Sequence, residues 1–382
     1  MHLRHLKNLL SPNILGILVI AIPLIYPASA QTTLKEAFKG RFLIGASLNK
    51  EQFNGEDARG ATIVKEQFNT ISPENVLKWE SIHPAEGRFD FSGADRYVEF
   101  GEANKMFIVG HTLVWHNQTP KWVFEDGTGK PASREQLLAR LREHIMTVVG
   151  RYKGRIHGWD VVNEALYEDG TLRKSPWLTI IGEDYLIKAF QWAHEADPKA
   201  ELYYNDYSLE NEPKRKGAIE LIKKLQAAKV PIKAVGLQGH NKMDWPSLEQ
   251  QDVTIEEFKK LGIKVAITEL DIDVLPRASD HRGADITLNY ELQAKLNPFA
   301  KGFPAQNDQA LARRYADLFE VYLKHADAID RITFWCVTDG DSWLNDWPVR
   351  GRSNYPLLFD RSGRPKPAFG AVLETAVNSK RK

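Results

Sequence analysis

The chain has 382 residues, with 51 Lys and Arg against 50 Asp and Glu and 43% hydrophobic side chains. Its length supports a large core, while the near-balanced charge argues against a nucleic-acid binder, which needs a basic face. The single cysteine, Cys336, excludes an internal disulfide, so stability has to come from packing.

Residues 1–30 read as an address. Arg4 and Lys7 give a basic start, the apolar run NILGILVIAIPLIY follows, and Ala-Ser-Ala ends at Ala30. That is the three-part pattern of a secretory signal peptide. The apolar run is short for a bilayer span and Pro23 interrupts it. The expectation is export to the periplasm or the medium, with cleavage after Ala30 and no membrane association afterwards. A mature chain of residues 31–382 would carry 49 basic and 50 acidic side chains, giving no attraction to anionic lipid.

Eight strand candidates follow in order: RFLIGAS (41–47), FNTISPEN (68–75), FIVGHTLVW (107–115), IHGWDVVNE (156–164), ELYYNDY (201–207), AVGLQGH (234–240), KVAITELDI (264–272) and ITFWCVTD (332–339). They are rich in β-branched and aromatic residues, and several are nearly continuous in apolar character, as parallel strands covered on both faces are. Helix-period segments lie between them. SREQLLARLREHIMTVVGRY sets Leu137, Leu141, Ile145 and Val148 three and four apart, and Ser133 with Gln136 can cap it. YLIKAFQWAHEA, KRKGAIELIKKLQAA and DQALARRYADLFEVYLKHA have the same period. Strict alternation predicts an α/β fold, a single (β/α)8 TIM barrel over residues 31–382. An open doubly wound sheet would alternate too, but eight units favour closure and no glycine-rich phosphate loop follows the first strand. The long irregular stretch 277–306 falls among the loops where a barrel binds its substrate.

Functional side chains of a barrel gather at the C-terminal ends of its strands. Those ends read Asn75 and Lys78, His111 and Trp115, Asn163 and Glu164, Asn205 and Tyr207, Gln238 and His240, Glu269 and Asp271, Trp335 and Asp339. Glu164 and Glu269 end the fourth and seventh strands, so a closed barrel aims both across one opening. Glycoside hydrolysis needs such a pair: one carboxyl protonates the leaving oxygen, the other attacks the sugar or activates water. Either glutamate alone would more often be an ion-paired or capping group. Asn163 beside Glu164 can hold a sugar hydroxyl, and His240 with Asp271 can orient Glu269 and favour its ionised form. Trp115, Trp335 and Trp343 lie near strand ends, interleaved with polar groups, where indole faces can stack on sugar rings. The eleven histidines show no metal-ligand spacing, so neither a metal nor another cofactor is expected.

WDVVNE and ITELDI, with PENVLKW, GHTLVWH, GLQGH and the Trp-rich final segment, resemble glycoside hydrolase family 10, the endo-β-1,4-xylanases, over about residues 34 to 375. The resemblance implies a retaining double displacement on xylan and xylo-oligosaccharides, with Glu164 as acid/base and Glu269 as nucleophile. It implies that His111, Trp115, Gln118, Asn163, Gln238 and His240 surround the sugar being cleaved. Glu74, Asn75 and Lys78 would contact the glycone side, Trp335 and Trp343 would cover it, and Tyr207 would bind substrate, with Asp271 behind His240. Ser208 departs from the family's usual amide in NDYN, which bears on contacts beyond the cleavage point. A monomer is the expected state. The rival readings are a β-1,4-glycanase with mixed xylan and cellulose activity and a non-catalytic xylan-binding protein.

Overall fold

The computed structural model describes residues 32–278 and 286–379. The expected signal peptide lies outside these residues, as do positions 279–285 of the long stretch after the seventh strand.

Eight parallel strands form the frame: β1 (Leu43–Leu48), β2 (Thr70–Pro73), β3 (Phe107–Val114), β4 (Gly158–Asn163), β5 (Glu201–Asp206), β6 (Ile232–Leu237), β7 (Lys264–Asp273) and β8 (Ile329–Phe334). Each falls within or across one of the eight stretches read from the sequence. β1 pairs with β8 from Leu43↔Arg331 to Ala46↔Phe334, and β6 pairs with β7 from Ala234↔Lys264 to Leu237↔Ile267, so the sheet closes on itself. A short strand, His240–Lys242, follows β6 and pairs with β7 at Asp271–Asp273, carrying the ladder past the barrel rim.

One longer helix follows each strand: α1 (Ala58–Gln67), α2 (Ser92–Ala103), α3 (Arg134–Arg151), α4 (Asp184–Ala196), α5 (Glu212–Ala227), α6 (Leu248–Lys259), α7 (Ala305–Lys324) and α8 (Pro367–Ser379). α3 starts where the sequence signals it. Gln136 N donates to Ser133 Oγ at 3.2 Å and Ser133 N donates to the Gln136 side chain at 2.9 Å, a capping box worth about 1 kcal/mol. Its buried face holds Leu137, Leu141, Ile145 and Val148, the residues spaced three and four apart. Among the described residues, no helix is long and apolar enough to cross a membrane.

The strands approach closely where side chains are absent. A Cβ on Gly45 would lie 2.0 Å from the main-chain oxygen of Thr70, so β1 and β2 can pair there only with glycine in β1. The barrel also carries buried charge. Arg331 of β8 has its Nη2 3.7 Å from Asp160 of β4 and its guanidinium carbon 4.3 Å from the centre of the Tyr203 ring. Asp160 in turn holds His111 Nδ1 at 2.9 Å. This ladder of polar groups stands beneath the C-terminal rim and fixes one face of the imidazole that reaches the opening.

Candidate active site

The turn after β4 sets the position of Glu164. Asn163 ends the strand, and Glu164 takes a left-handed backbone with φ 57°. A non-glycine residue there costs roughly 1–3 kcal/mol, so surrounding contacts must hold it. Its N–H donates to the Asn205 carbonyl at 2.9 Å, tying the turn to the end of β5. The kink brings the carboxyl under two donors. Trp115 Nε1 donates to Oε2 at 2.8 Å and Gln238 Nε2 donates to Oε1 at 3.0 Å. Burial nevertheless dominates, and with the nearby charge of Asp206 it pushes the Glu164 carboxyl up to about 7.

Glu269 does not end its strand as expected, because β7 runs on to Asp273 by pairing with the short strand His240–Lys242, and its carboxyl has the opposite character. Burial acts to raise its carboxyl, but His240 Nε2 at 3.2 Å, the charge of His111, and Asn205 Nδ2 at 2.8 Å together bring it below the ordinary value. His240 lies between two carboxylates, with Nδ1 3.1 Å from Asp271 in a close ionic contact that is not an aligned hydrogen bond. Burial alone would discharge that imidazole; Asp271 and Glu269 outweigh it and lift its pKa to about 10. Trp343 Nε1 donates to the other Asp271 oxygen at 2.8 Å and fixes the pair from behind. The two buried glutamates are thus pushed in opposite directions, Glu164 up to about 7 and Glu269 below its ordinary value, so Glu164 keeps its proton to a higher pH than Glu269 does.

Asn205 ties the Glu269 carboxyl to the Asn163 side chain and the Glu164 main chain. Its Nδ2 lies 2.8 Å from Glu269 and 2.9 Å from the Asn163 side chain, and its Oδ1 accepts from Thr268 Oγ1 at 2.6 Å. The Asn163 amide lies between the Asn205 side-chain nitrogen at 2.9 Å and the Glu164 carboxyl at 3.3 Å.

These groups line a cleft of about 650 Å³, open to solvent. Glu74, Asn75, Lys78, His111, Trp115, Gln118, Asn163, Glu164, Gln238, His240, Glu269, Trp335 and Trp343 all border it, together with Ile286 from the long stretch. One end is anchored by Lys78, whose Nζ donates to Gln118 Oε1 at 2.7 Å and Asn75 Oδ1 at 3.0 Å and lies 5.0 Å from the Trp115 ring centre. Burial lowers the Lys78 pKa, and it raises that of Glu74, which meets Cys336 Sγ at 3.8 Å. Tyr207 and Asp271 border a second cavity of about 580 Å³ instead, which shares His240 and Trp343 with the cleft. Ser208 lines that second cavity too. Among the described residues, no cluster of three or more histidine, cysteine or acidic side chains is placed to hold a metal ion.

The sequence named Asn205 as a strand end but assigned it no site role, and it did not single out Arg173 or Asp206. Arg173 bonds the Glu164 carbonyl and the Tyr207 hydroxyl; Asp206, buried against Lys214 Nζ at 2.9 Å, adds the charge that helps hold the proton on Glu164. A signal for Asp206 was available in the pair Asn205-Asp206 closing an apolar strand. Arg173, on a polar loop, gave none.

Residues 33–375 match Glycosyl hydrolase family 10. The chain is 43% identical over 356 residues to endo-1,4-beta-xylanase A of Xylanibacter ruminicola, covering 93% of this chain and 96% of that protein. It is 39% identical over 347 residues to an endo-1,4-beta-xylanase of Geobacillus stearothermophilus, covering 90% and 99%. A solved GH10 endoxylanase retrieved from sugarcane soil metagenome aligns with a TM-score of 0.86 at 44% identity, over 91% of this chain and 100% of that one.

Proposed function

The chain belongs to glycosyl hydrolase family 10, and from that premise we propose that it is an endo-1,4-β-xylanase that cleaves internal bonds of xylan with retention. The observation that carries the reading is the pair of buried carboxyls in one cleft, Glu164 raised to about 7 and Glu269 lowered. In the first step Glu269, ionised beside His240 and Asn205, attacks the anomeric carbon. Glu164 gives its proton to the leaving oxygen, and a glycosyl-enzyme forms on Glu269. In the second step Glu164, now a carboxylate, takes a proton from water as the water attacks the anomeric carbon, and the bond to Glu269 breaks to release that carboxylate. The starting protonation states return.

Other groups have roles in the same proposal. Asn163 and His111 bond hydroxyls of the sugar in the ring-distorted transition state. Glu74, Asn75, Lys78 and Gln118 bind the glycone side, while Trp335 and Trp343 offer aromatic faces over it. Tyr207 binds the sugars beyond the cleavage point, on the wall of the second cavity. A non-catalytic xylan-binding protein would need no opposed pair of carboxyls. Export is part of the proposal as well, supported by the basic start, apolar run and Ala-Ser-Ala of residues 1–30.

The test is a digest of glucuronoxylan by residues 31–382, with proton NMR of the earliest products and carboxymethyl cellulose as a second substrate. β-Anomeric oligosaccharides are expected first, with little release from the cellulose. First-formed α-anomers would overturn the role of Glu269, and comparable release from both polymers would turn the reading to a mixed glycanase. Folded protein without activity on either would remove the hydrolase reading.

A further inference from the structure

The loop that leaves Glu164 folds straight back on itself. Leu166 and Leu172 form an isolated antiparallel bridge, Tyr167 N donates to Thr171 O at 2.8 Å, and Arg173 N donates to Ala165 O at 2.7 Å. This short hairpin delivers the Arg173 guanidinium to the underside of the Glu164 turn. Nε donates to the Glu164 carbonyl at 3.1 Å and Nη2 to the Leu166 carbonyl at 3.2 Å. Nη2 also donates to the Tyr207 hydroxyl at 2.8 Å, and the guanidinium carbon stands 5.0 Å from the centre of the Tyr167 ring.

A planar fork with fixed donor directions defines the position of each acceptor relative to the others. Here the acceptors are the main chain of the left-handed Glu164, the main chain two residues on, and a side chain on the wall of the neighbouring cavity. Glu164 lacks a glycine's freedom at φ 57°, so its turn depends on such outside bonds. Its own N–H bond to Asn205 fixes one side of the residue, and Arg173 fixes the other.

Resting on the proposed function, we infer that Arg173 is a positioning residue, which aims the Glu164 carboxyl at the leaving oxygen and ties that aim to Tyr207. It touches no reacting atom. Its effect is confined to the proton transfer that Glu164 performs, and that confinement separates it from a merely structural arginine.

The chemistry supplies the readout. A sugar leaving group needs a proton to depart, whereas 2,4-dinitrophenolate leaves without one. The measurement is kcat/KM on xylohexaose and on 2,4-dinitrophenyl β-xylobioside for the wild type, Arg173→Met, Arg173→Lys and Glu164→Ala. Arg173→Met should lose about a hundredfold on xylohexaose, the usual scale for a misplaced catalytic group, and less than about threefold on the aryl glycoside. Lysine offers a point donor without the fork, so Arg173→Lys should fall between the wild type and Arg173→Met with the same selectivity. Glu164→Ala gives the full selective signature for comparison. If Arg173→Met does not fold, the lysine variant decides the matter. Equal losses on both substrates, or unimpaired xylohexaose cleavage, would overturn the assignment. A wild type that cleaves neither substrate would overturn the xylanase reading itself.

Discussion

His240→Gln removes the charge between Glu269 and Asp271 while leaving a neutral donor of similar reach. In the wild type His240 Nε2 lies 3.2 Å from Glu269, Nδ1 lies 3.1 Å from Asp271, and the imidazole is held charged with its pKa near 10. Burial drives the Glu269 carboxyl upward, and the His240 hydrogen bond heads the interactions that oppose it. A hydrogen bond from a charged donor is worth about 1.5–3 kcal/mol and a neutral one about 0.5–1.5 kcal/mol. The difference, about 1–1.5 kcal/mol, corresponds to roughly one pH unit. Glu269 attacks only when ionised, so activity rises with pH through its pKa, and raising that pKa moves the acid limb to higher pH. Asn205, His111 and Lys78 remain to favour the carboxylate, and Trp343 remains to bond Asp271. The assay is kcat/KM on xylohexaose as a function of pH for both proteins. A displacement of the acid limb by about one unit is expected, with the basic limb, set by Glu164, close to its wild-type position. A lower plateau with an unmoved acid limb would refute the reasoning and confine His240 to contact with the sugar.

Three further changes test separate parts of the account. Glu269→Gln should lose nearly all turnover yet still bind xylo-oligosaccharide in calorimetry; near-normal turnover would remove Glu269 from its role. His83 and His144 are buried with their Nδ1 atoms 3.4 Å apart, and burial depresses both, His83 to about 4. Because the unfolded chain takes up those protons first, their contribution to stability is present above about pH 6.5 and is lost as pH falls toward about 4. For His83 alone this is roughly 3 kcal/mol. Urea unfolding of the wild type and of His83→Gln/His144→Gln should therefore converge or cross by about that amount on acidification, and a pH-independent difference would contradict it. Gly45→Ala should cost at least about 3 kcal/mol, because its Cβ would meet the backbone of β2 at 2.0 Å and no rotamer can relieve the clash. A melting temperature within a few degrees of the wild type would show that β1 and β2 can separate cheaply.

Much of the architecture is local in origin. A strand or a helix announces itself through the period of its apolar residues, and those periods come from backbone geometry that neighbours in sequence share. The capping box at Ser133, the eight apolar runs and the long amphipathic segment before β8 are all of this kind. Glu164 and Glu269 were legible for a related reason: a closed parallel barrel sends every strand end to one rim, so residue type at a strand end translates into position. Tyr207 shows the limit of that rule, since it directly follows β5 yet lines the second cavity instead of the cleft.

The sequence by itself determined the strand count, their order of alternation, the rim on which polar residues collect and the presence of two carboxylic acids, Glu164 and Glu269, on that rim. Only the tertiary structure decided that the pKa of one of those acids is raised and that of the other lowered. That difference depends on how far each is removed from water, on Asp206 lying near Glu164, and on His240 and Asn205 reaching Glu269. It likewise decided that Arg173 turns under Glu164 and that Arg331 and Asp160 stand together inside the barrel. Desolvation and charge act through space between segments tens to hundreds of residues apart, and no local period records which of them will meet.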